Sequence, residues 1–581
     1  MKSFLNIKDS TVKAIILILF CLSLLLVMVF HEPWFDEAQV WMIARDASLY
    51  EIFFVMPHYE GHPALWSLLL AVPAKLGVPF ELGLKSIGFI ITSVSAYLII
   101  YKSPFPKYIK YCLPFSFFFF YQGGVIVRPY SLMILVLLLL GLNFKDRNRK
   151  PFLYISLLFL LCCTSAYGIV FAGGIALCIV GELVNEKGLK RFISELLVDK
   201  RTLCLILLLI GAILLILQIY PYPDTYIPSE FKRNSFLIRL LCTLFTVIGD
   251  CFFTRSLWFY YDRTLLQIAA IPWYSLLSCI AVGIIIWILI YCVSDKTSFV
   301  YFLVPYLLFS VFASEINFNG HHLICPFALF LFWLWIAYAN SEKDIGWDTI
   351  SIIFFPKESD RKLLVKFSKI FVAICVVFST YWTIHSSVLD FQKEYSFGRN
   401  ASAFLKENKL DNAYIVAAWE SASIKGERID YLNMIGTIVP INAYLKKNIA
   451  FNLNGGDPDK GYAYLKKNSK EEKEELISLI KEKGLPDVLV GKPNLDLIFD
   501  EDAYETDYTI VYYMPVNYIW KADAYRAYIT LSLRNDLLET HNLSEAPLPQ
   551  DISISSFELT EEQFRLYNEG KITLEDIVGS N

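Results

Sequence analysis

Charged residues are scarce in this chain, and this scarcity indicates the class of protein. Only 19% of the 581 residues are Asp, Glu, Lys or Arg, whereas 56% are hydrophobic. Apolar runs recur from residue 14 to residue 387, and each is long enough, or nearly so, to cross a bilayer. This composition excludes an ordinary soluble protein and predicts a polytopic α-helical membrane protein.

Cysteine is absent from residues 376–581, because all twelve cysteines lie between Cys21 and Cys375. Their spacing matches no zinc or redox motif, since Cys162 and Cys163 are adjacent within an apolar run. We interpret the cysteines as small apolar packing residues. The cysteine-free C-terminal region is typical of an extracytoplasmic domain.

The sequence also lacks the fingerprints of nucleotide binding. No Walker or dinucleotide motif occurs, and residues 454–458 are predicted to form a turn rather than a phosphate-binding loop. The formal net charge of −4 gives no indication of particular partners. Membrane lipids are expected partners, and nucleic acid is not.

Apolar segments predict about 11–13 transmembrane helices within residues 1–388. The segments are 14–30, 63–79, 84–101, 111–127, 129–144, 151–166, 167–184, 202–220, 236–253, 268–292, 299–314, 323–339 and 367–387. Lysines before the first segment place the N-terminus in the cytoplasm, and the basic stretches 145–150, 187–201 and 357–369 should lie on the same side. The first segment is followed by no convincing cleavage site, so we expect a retained helix.

The basic stretch at 145–150 creates a parity problem. An odd number of crossings must separate residue 31, outside, from residue 145, inside, yet four candidate segments lie between them. Three prolines interrupt segment 63–79, which we therefore predict is not a full crossing. A similar parity conflict surrounds segment 236–253, which we predict to be interfacial rather than spanning.

From about residue 389 the apolar runs shorten to strand length, which predicts a soluble extracytoplasmic α/β domain over residues 389–581. The predicted strands are 414–418, 449–453, 487–490, 508–514 and 527–533, and the predicted helices are 461–467 and 470–483. Their alternation favours a partly parallel sheet. The acidic, polar tail of about 40 residues is predicted to be partly disordered.

Two consecutive carboxylates, Asp36 and Glu37, follow the first apolar segment. Ionisable groups at the mouth of a transmembrane helix are costly to desolvate and are candidates for function. On a helix the two side chains point about 100° apart. One could therefore face an acceptor hydroxyl while the other holds a partner or a divalent cation, Mg²⁺ or Mn²⁺. The alternative is that they cap a juxtamembrane helix, with Asp36 as the cap or a first-turn acid.

A second polar cluster, His58–Pro63, closes the first loop, residues 31–62. Glu60 and His62 are spaced to share one side of an extended segment. Transfer of a group from a phosphate to a hydroxyl or amine needs a base, and positive charge stabilises the departing phosphate. The loop carboxylates could supply the base, and Asp36 is the predicted one.

Arg128 begins a strongly apolar helix, where the helix dipole favours anions rather than cations. It is better explained as the partner of a carboxylate or a lipid phosphate, although snorkelling to the headgroups is an equal alternative. His321 and His322 lie in a short loop and could contact a phosphate or sugar. Arg255 is a further candidate phosphate contact, although simple surface placement is the safer interpretation.

Three motifs together resemble the GT-C superfamily of membrane glycosyltransferases: Trp34–Ala38, Glu60–Trp66 and Val127–Leu132. The likeness is to the branch of protein O-mannosyltransferases and the lipid A aminoarabinose transferase, and it covers residues 10 to about 390. The resemblance implies a polyprenyl-phosphate sugar donor and transfer on the extracytoplasmic side. It also implies that Asp36 or Glu37 acts as the base or positions the acceptor, and that Glu60 matches a second loop carboxylate.

The sequence thus predicts a GT-C glycosyltransferase of the cell membrane that transfers a sugar, with inversion, to a glycan, lipid or protein acceptor. The predicted catalytic residues are Asp36, Glu37 and Glu60, and the predicted substrate-binding residues are His62, Arg128, His321, His322 and Arg255. One alternative is a transporter or flippase of lipid-linked glycans, whose key polar residues should lie near mid-membrane. The other is an inactive scaffold.

Overall fold

The computed structural model of the chain describes residues 8–225, 235–252, 273–316, 318, 320–340, 358–418, 431–466, 469–491, 495, 499, 503–521 and 523–547. Within these ranges seven helices are long and apolar enough to cross a membrane: Asp9–Phe30, Phe80–Lys102, Ala166–Lys187, Lys200–Ile219, Lys296–Glu315, Gly320–Asn340 and Ile370–Gln392. Shorter apolar helices cover Leu65–Lys75, Tyr130–Leu142, Pro151–Cys162 and Leu277–Tyr291. The chain is a multi-pass membrane protein, as its composition predicted.

An ion pair and a hydrogen bond show which helix ends lie together. Asp9 pairs with Lys107 at 2.9 Å, so the first helix and the segment from residue 107 begin at the same end of the bundle. At the opposite end, the Lys85 amine donates to the His31 carbonyl at 2.6 Å. The first loop therefore meets the start of helix Phe80–Lys102.

The predicted apolar segment 63–79 contains only the 11-residue helix Leu65–Lys75. Such a helix is about 16 Å long, roughly half the thickness of the hydrocarbon core. At its end, the Lys75 amine donates to the Ala47 carbonyl of the first loop at 2.7 Å. The helix thus begins and ends beside the first loop rather than leading away from it.

The predicted segment 111–127 is not one continuous helix. It is divided into Lys107–Cys112, Leu113–Phe115, Phe117–Phe120 and Tyr121–Val125. The backbone is extended at Ser116, two residues after Pro114, which has no N–H to donate. This break directs four buried phenylalanines, Phe117–Phe120, into the core. Segment 236–253 is likewise built from short pieces: Phe236–Leu241, Cys242–Val247 and Ile248–Asp250.

The first loop is largely helical and contains Phe35–Asp46, Leu49–Phe54 and Met56–Glu60. Each piece begins from a defined local signal. Ser48 and Glu51 form a reciprocal capping box for the second helix, and Pro57 lies in the first turn of the third. The predicted extended conformation at Glu60 is wrong, because Glu60 is the last residue of that third helix.

The C-terminal region forms a four-stranded sheet in the order β1-β2-β4-β3. The strands are β1 Ile415–Ala417, β2 Val488–Val490, β3 Tyr508–Trp520 and β4 Asp523–Arg534. Strands β1 and β2 are parallel and the other pairs are antiparallel. A partly parallel sheet is therefore present, as predicted.

Helices of the C-terminal region are Gly398–Glu407, Tyr431–Thr437, Val439–Leu445, Lys470–Lys483 and Ala503–Asp507. Short turns cover Asn454–Gly456, Asn535–Leu537 and Leu538–His541. Two predictions fail. Residues 449–453 contribute only an isolated bridge between Ala450 and Ile415. Residues 461–466 are not helical, because their backbone groups bond to first-loop side chains instead. The acidic tail from residue 548 onward lies outside the described residues.

The β3–β4 hairpin joins the C-terminal region to the helix bundle. Lys521, at its tip, is fully buried and pairs with the fully buried Asp250 at 2.7 Å. The Lys521 amine also lies 4.5 Å from the ring centre of Trp382, on the last membrane helix. The tip is thus packed among residues of three apolar segments, with Trp520 in contact with Phe117.

Candidate functional site

Glu37 is a buried capping residue of helix Phe35–Asp46. One carboxylate oxygen accepts from the Trp34 N–H at 2.8 Å, and the other accepts from the Val127 N–H at 2.6 Å. The side chain is only 1% exposed. Glu37 therefore satisfies the first turn of its helix and fixes the chain just before Arg128.

Asp36 points in a different direction, as expected for neighbours on a helix. It forms a close ion pair with Arg128. The Arg128 side chain is 10% exposed and its guanidinium lies 5.8 Å from the ring centre of Trp34 and 6.0 Å from that of Tyr130. The expected carboxylate partner of Arg128 is therefore Asp36, and the Trp34 and Tyr130 rings are within range of a cation–π interaction with the guanidinium.

Glu60 and His62 are placed by the glycine between them. Gly61 ends helix Met56–Glu60 in the left-handed conformation, with φ of 66°, which glycine adopts without strain. Both flanking side chains then line the same cavity. The Glu60 carboxylate accepts from the Gln39 amide at 3.0 Å.

His321 and His322 belong to the turn Gly320–Leu323 at the start of an apolar helix. Their rings are in contact, with centres 4.1 Å apart. His321 packs edge-on against Trp34, and His322 is hydrogen-bonded to the Tyr167 hydroxyl at 3.0 Å. Among the described residues, Nδ1 of His62 and Nδ1 of His321 have no hydrogen-bond partner.

These side chains meet around one cavity of about 180 Å³. Its polar lining is Asp36, Glu60, His62, Ser67, Arg128, His321 and His322, and its apolar lining is Val40, Ile52, Met56, Pro57, Pro63, Ala64, Trp66, Pro129 and Leu465. Six of the eight predicted site residues therefore converge. Glu37 is behind the cavity wall, and Arg255 lies outside the described residues.

Burial sets the charges in the cavity. Desolvation raises the pKa of Glu60, and the charge of Asp36 adds to this effect. The Gln39 hydrogen bond and Arg128 oppose it, and the resulting pKa is about 7. Desolvation and the nearby Arg128 charge lower the pKa of His62 to about 3. Burial opposes the guanidinium charge of Arg128, but Asp36 outweighs it and raises the pKa of Arg128. At neutral pH the cavity thus combines a fixed cation, a neutral imidazole and a titrating carboxyl group.

The predicted divalent cation finds no matching ligand set near Asp36 and Glu37. Asp36 is paired with Arg128, and both oxygens of Glu37 accept backbone N–H groups. Within the described part of the chain, no group of three or more His, Cys, Asp or Glu side chains could hold a metal ion. We therefore assign no step to a metal.

Sequence reasoning missed two residues at the site, Gln39 and Leu465, and one residue that holds the end of the first helix, Asp390. Gln39 holds Glu60, and Leu465 of the C-terminal region lines the cavity. Asp390 accepts from the buried His31 ring at 2.8 Å and from the Tyr121 hydroxyl at 3.0 Å. Only Asp390 had a sequence signal, since it is an acidic residue just beyond an apolar segment.

Comparison with known proteins found no match to this chain among family models, curated proteins or solved structures. The resemblance to the GT-C superfamily therefore stays a prediction that rests on the three quoted motifs.

Proposed function

We propose that this protein is a membrane glycosyltransferase that transfers a sugar from a polyprenyl-phosphate donor to a hydroxyl or amine. The observation that supports this most is the cavity itself. It combines Glu60, whose pKa is raised to about 7 by burial, with the buried cation Arg128 and neutral histidine. A base tuned to neutral pH beside a fixed cation suits proton removal from an acceptor and stabilisation of a phosphate leaving group.

In the proposed reaction the acceptor oxygen or nitrogen attacks the anomeric carbon of the donor sugar. The bond between that carbon and the phosphate oxygen breaks, and its electron pair remains on the lipid phosphate. The acceptor proton passes to a loop carboxylate, and attack from the opposite face inverts the configuration. Arg128 meets the phosphate charge, while the rings of His62 and His321, whose Nδ1 atoms have no partner among the described residues, offer hydrogen bonds.

Glu60 is the stronger candidate for the base. Asp36 is already engaged in an ion pair with the Arg128 guanidinium. Glu60 has one amide hydrogen bond, and its raised pKa matches a neutral working pH. The sequence favoured Asp36 for this step; its geometry supports a second role, in which it orients Arg128. Glu37 positions the loop through its two backbone contacts.

The surroundings of the cavity suit a lipid-linked donor. Helix Leu49–Phe54 contributes Ile52 to the cavity wall. The same helix exposes large apolar side chains, including Tyr50 at 67% and Phe54 at 52%. A short helix with exposed aromatic residues is typical of a membrane interface, where a polyprenyl chain could approach the site from the bilayer.

A transfer assay tests the proposal. Purified protein would be given radiolabelled polyprenyl-phosphate sugars and candidate glycan, lipid and protein acceptors, with Glu60→Gln and Asp36→Asn as test variants. Glu51→Gln is the matched control, because Glu51 is a capping residue of the neighbouring loop helix and does not line the cavity. We expect transfer by wild type and the control, and a loss of at least about 100-fold in Glu60→Gln.

Undiminished transfer by both cavity variants would contradict the assignment of the site. If intact lipid-linked glycan moves across the membrane of vesicles that contain the protein, and no sugar is transferred, the transporter alternative would be favoured. The polar cavity residues gather at one end of the helix bundle rather than at mid-helix, which is why we favour the enzyme.

A further inference from the structure

The side chain of Gln39 connects the first loop with the C-terminal region. Its amide N–H groups donate to Glu60 at 3.0 Å and to the Ala463 carbonyl at 2.6 Å. Its amide oxygen accepts from the Ala463 N–H at 3.0 Å. The paired donor and acceptor of Ala463 fix which end of the amide is oxygen and which is nitrogen, so an N–H must face Glu60.

The nitrogen and the oxygen of this amide are both engaged in hydrogen bonds, two of them with Ala463 and one with Glu60. Gln39 is 2% exposed, and a buried amide without partners would be costly. Its two bonds to Ala463 reproduce the pairing of neighbouring strands, which holds the amide in one plane. The orientation of the N–H toward Glu60 therefore depends on the position of residue 463.

Segment 461–466 covers one side of the cavity and is itself held by side chains. Leu465 lines the cavity, and the Gly461 N–H donates to Asp46 of the first-loop helix at 3.0 Å. From the C-terminal region, the Asn454 amide donates to the carbonyls of Lys460 at 2.9 Å and Tyr462 at 2.6 Å. These bonds fix the segment over the loop without touching Glu60.

We infer that Gln39 is a positioning residue. It couples the position of segment 461–466 against the first loop to the orientation and protonation of Glu60. This inference rests on the proposed function, in which Glu60 is the base. Its consequence is that the C-terminal region sets the reactivity of a carboxylate in the first loop, because the same amide holds both. Sugar transfer would then require segment 461–466 of the C-terminal region in contact with the first loop, as well as an intact cavity.

The direction of the effect follows from the groups that face Glu60. Asp36 opposes ionisation of Glu60, whereas Arg128 and the Gln39 hydrogen bond favour it. The neutral His62 flanks Glu60, and the rings of His321 and His322 line the same cavity. Loss of the Gln39 bond should therefore raise the pKa of Glu60 further, and the carboxylate form needed for catalysis should be present only at higher pH.

The experiment measures the protonation of Glu60 directly, so that it does not depend on activity. Infrared spectra of the full-length protein would be recorded across pH, and the spectrum of Glu60→Gln would be subtracted to isolate the Glu60 carboxyl band. Gln39→Met keeps the approximate length and volume of the side chain but removes its hydrogen bonds. We expect its midpoint to rise by about one pH unit, a tenfold change in the protonation equilibrium.

Two further variants separate the parts of the inference. Gln218→Met is the matched control, because Gln218 donates to the Phe53 carbonyl beside the cavity but does not contact Glu60. Its midpoint should equal that of wild type. Asn454→Gly removes the bonds to residues 460 and 462 while suiting the positive φ at this position, and its midpoint should move in the same direction as that of Gln39→Met.

An unchanged midpoint in Gln39→Met, or an equal shift in Gln218→Met, would overturn the inference. A shift in Gln39→Met without one in Asn454→Gly would overturn the coupling to segment 461–466. If the expected shifts occur but no variant or wild type transfers sugar, the proposed function fails while the role of Gln39 in positioning Glu60 stands. If transfer occurs, its acidic limb should move with the infrared midpoint.

Discussion

At the scale of single residues, burial changes the pKa of side chains that line the cavity. Glu60 and His62 are separated by one glycine, yet burial has opposite consequences for them. It favours the neutral form of both, which raises the pKa of Glu60 to about 7 and lowers that of His62 to about 3. Their shared wall therefore offers a proton acceptor and an uncharged hydrogen-bonding ring at the same pH.

The pH dependence of transfer should identify the base. If Glu60 accepts the proton, kcat/KM should fall tenfold per pH unit as the pH drops below about 7, because Glu60 becomes protonated. The measurement is kcat/KM against pH at saturating acceptor. A rate that stays constant as the pH falls through 7 would contradict Glu60 as the base.

Arg128→Lys should raise the KM for the lipid donor by about tenfold or more. Lysine keeps the charge but loses the planar group that pairs with Asp36 and lies against Trp34 and Tyr130. Arg147→Lys is the control, because Arg147 is also paired and lies over an aromatic ring, but contacts Glu182 and Phe144. An equal KM in Arg128→Lys and wild type would contradict a phosphate contact.

At the scale of secondary-structure elements, two buried ionic contacts hold the loop and the hairpin to the bundle. The first joins His31, at the end of the first helix, to Asp390, near the end of the last membrane helix, at 2.8 Å. The second joins Lys521 of the hairpin tip to Asp250. The first fixes the first loop against the last membrane helix, and the second fixes the hairpin against the bundle.

The His31 contact should make stability depend on pH. Burial disfavours the charged ring, but Asp390 and Glu37 outweigh it and raise the pKa of His31 from 6.5 to about 9. The stabilisation is therefore complete below about pH 6.5 and is lost as the pH rises through 9. We expect the melting temperature in detergent to fall over this range in wild type and in the control His385→Gln. The fall should be smaller in His31→Gln, and an equal fall would contradict the assignment.

Removal of one partner of the Lys521–Asp250 pair should destabilise the protein more than replacement of both partners. Lys521→Met leaves the Asp250 carboxylate without its ammonium partner and should cost about 3–5 kcal/mol, whereas adding Asp250→Leu should restore much of the loss. Lys150→Met is the control, because its pair with Asp146 is about half exposed and should contribute at most about 1 kcal/mol. Equal melting temperatures for the Lys521 and Lys150 variants would contradict a structural role of the hairpin tip.

At the scale of the whole molecule, the contacts sort the chain into two ends. The first loop, the cavity and the C-terminal sheet lie at one end, while Asp9, Lys107 and the basic stretch after Leu142 lie toward the other. Reporters inserted after Asn148 and fused after Asn581 should therefore be found on opposite sides of the membrane. The positive charges predict that the second is extracytoplasmic. Reporters on the same side would contradict this arrangement.

Sequence reasoning found the membrane class, the sheet and most of the cavity because each had a strong signal. Asp36, Glu60 and Arg128 are charged residues at the edges of apolar runs. Charges there are costly to desolvate, which makes them recognisable as functional candidates. Gln39 had no such signal, since an uncharged amide within a helix resembles any surface residue. Residues 461–466 followed a helical pattern, but bonds to Gln39 and Asp46 outweighed local propensity.

The buried hairpin tip has a consequence for biosynthesis. Lys521 is translated well after Gln392, the last residue of the final membrane helix, so Asp250 enters the bundle before its partner exists. This buried pair therefore cannot form until residue 521 has been translated. A nascent chain interrupted before residue 521 would lack the ammonium group that pairs with Asp250 in the folded protein.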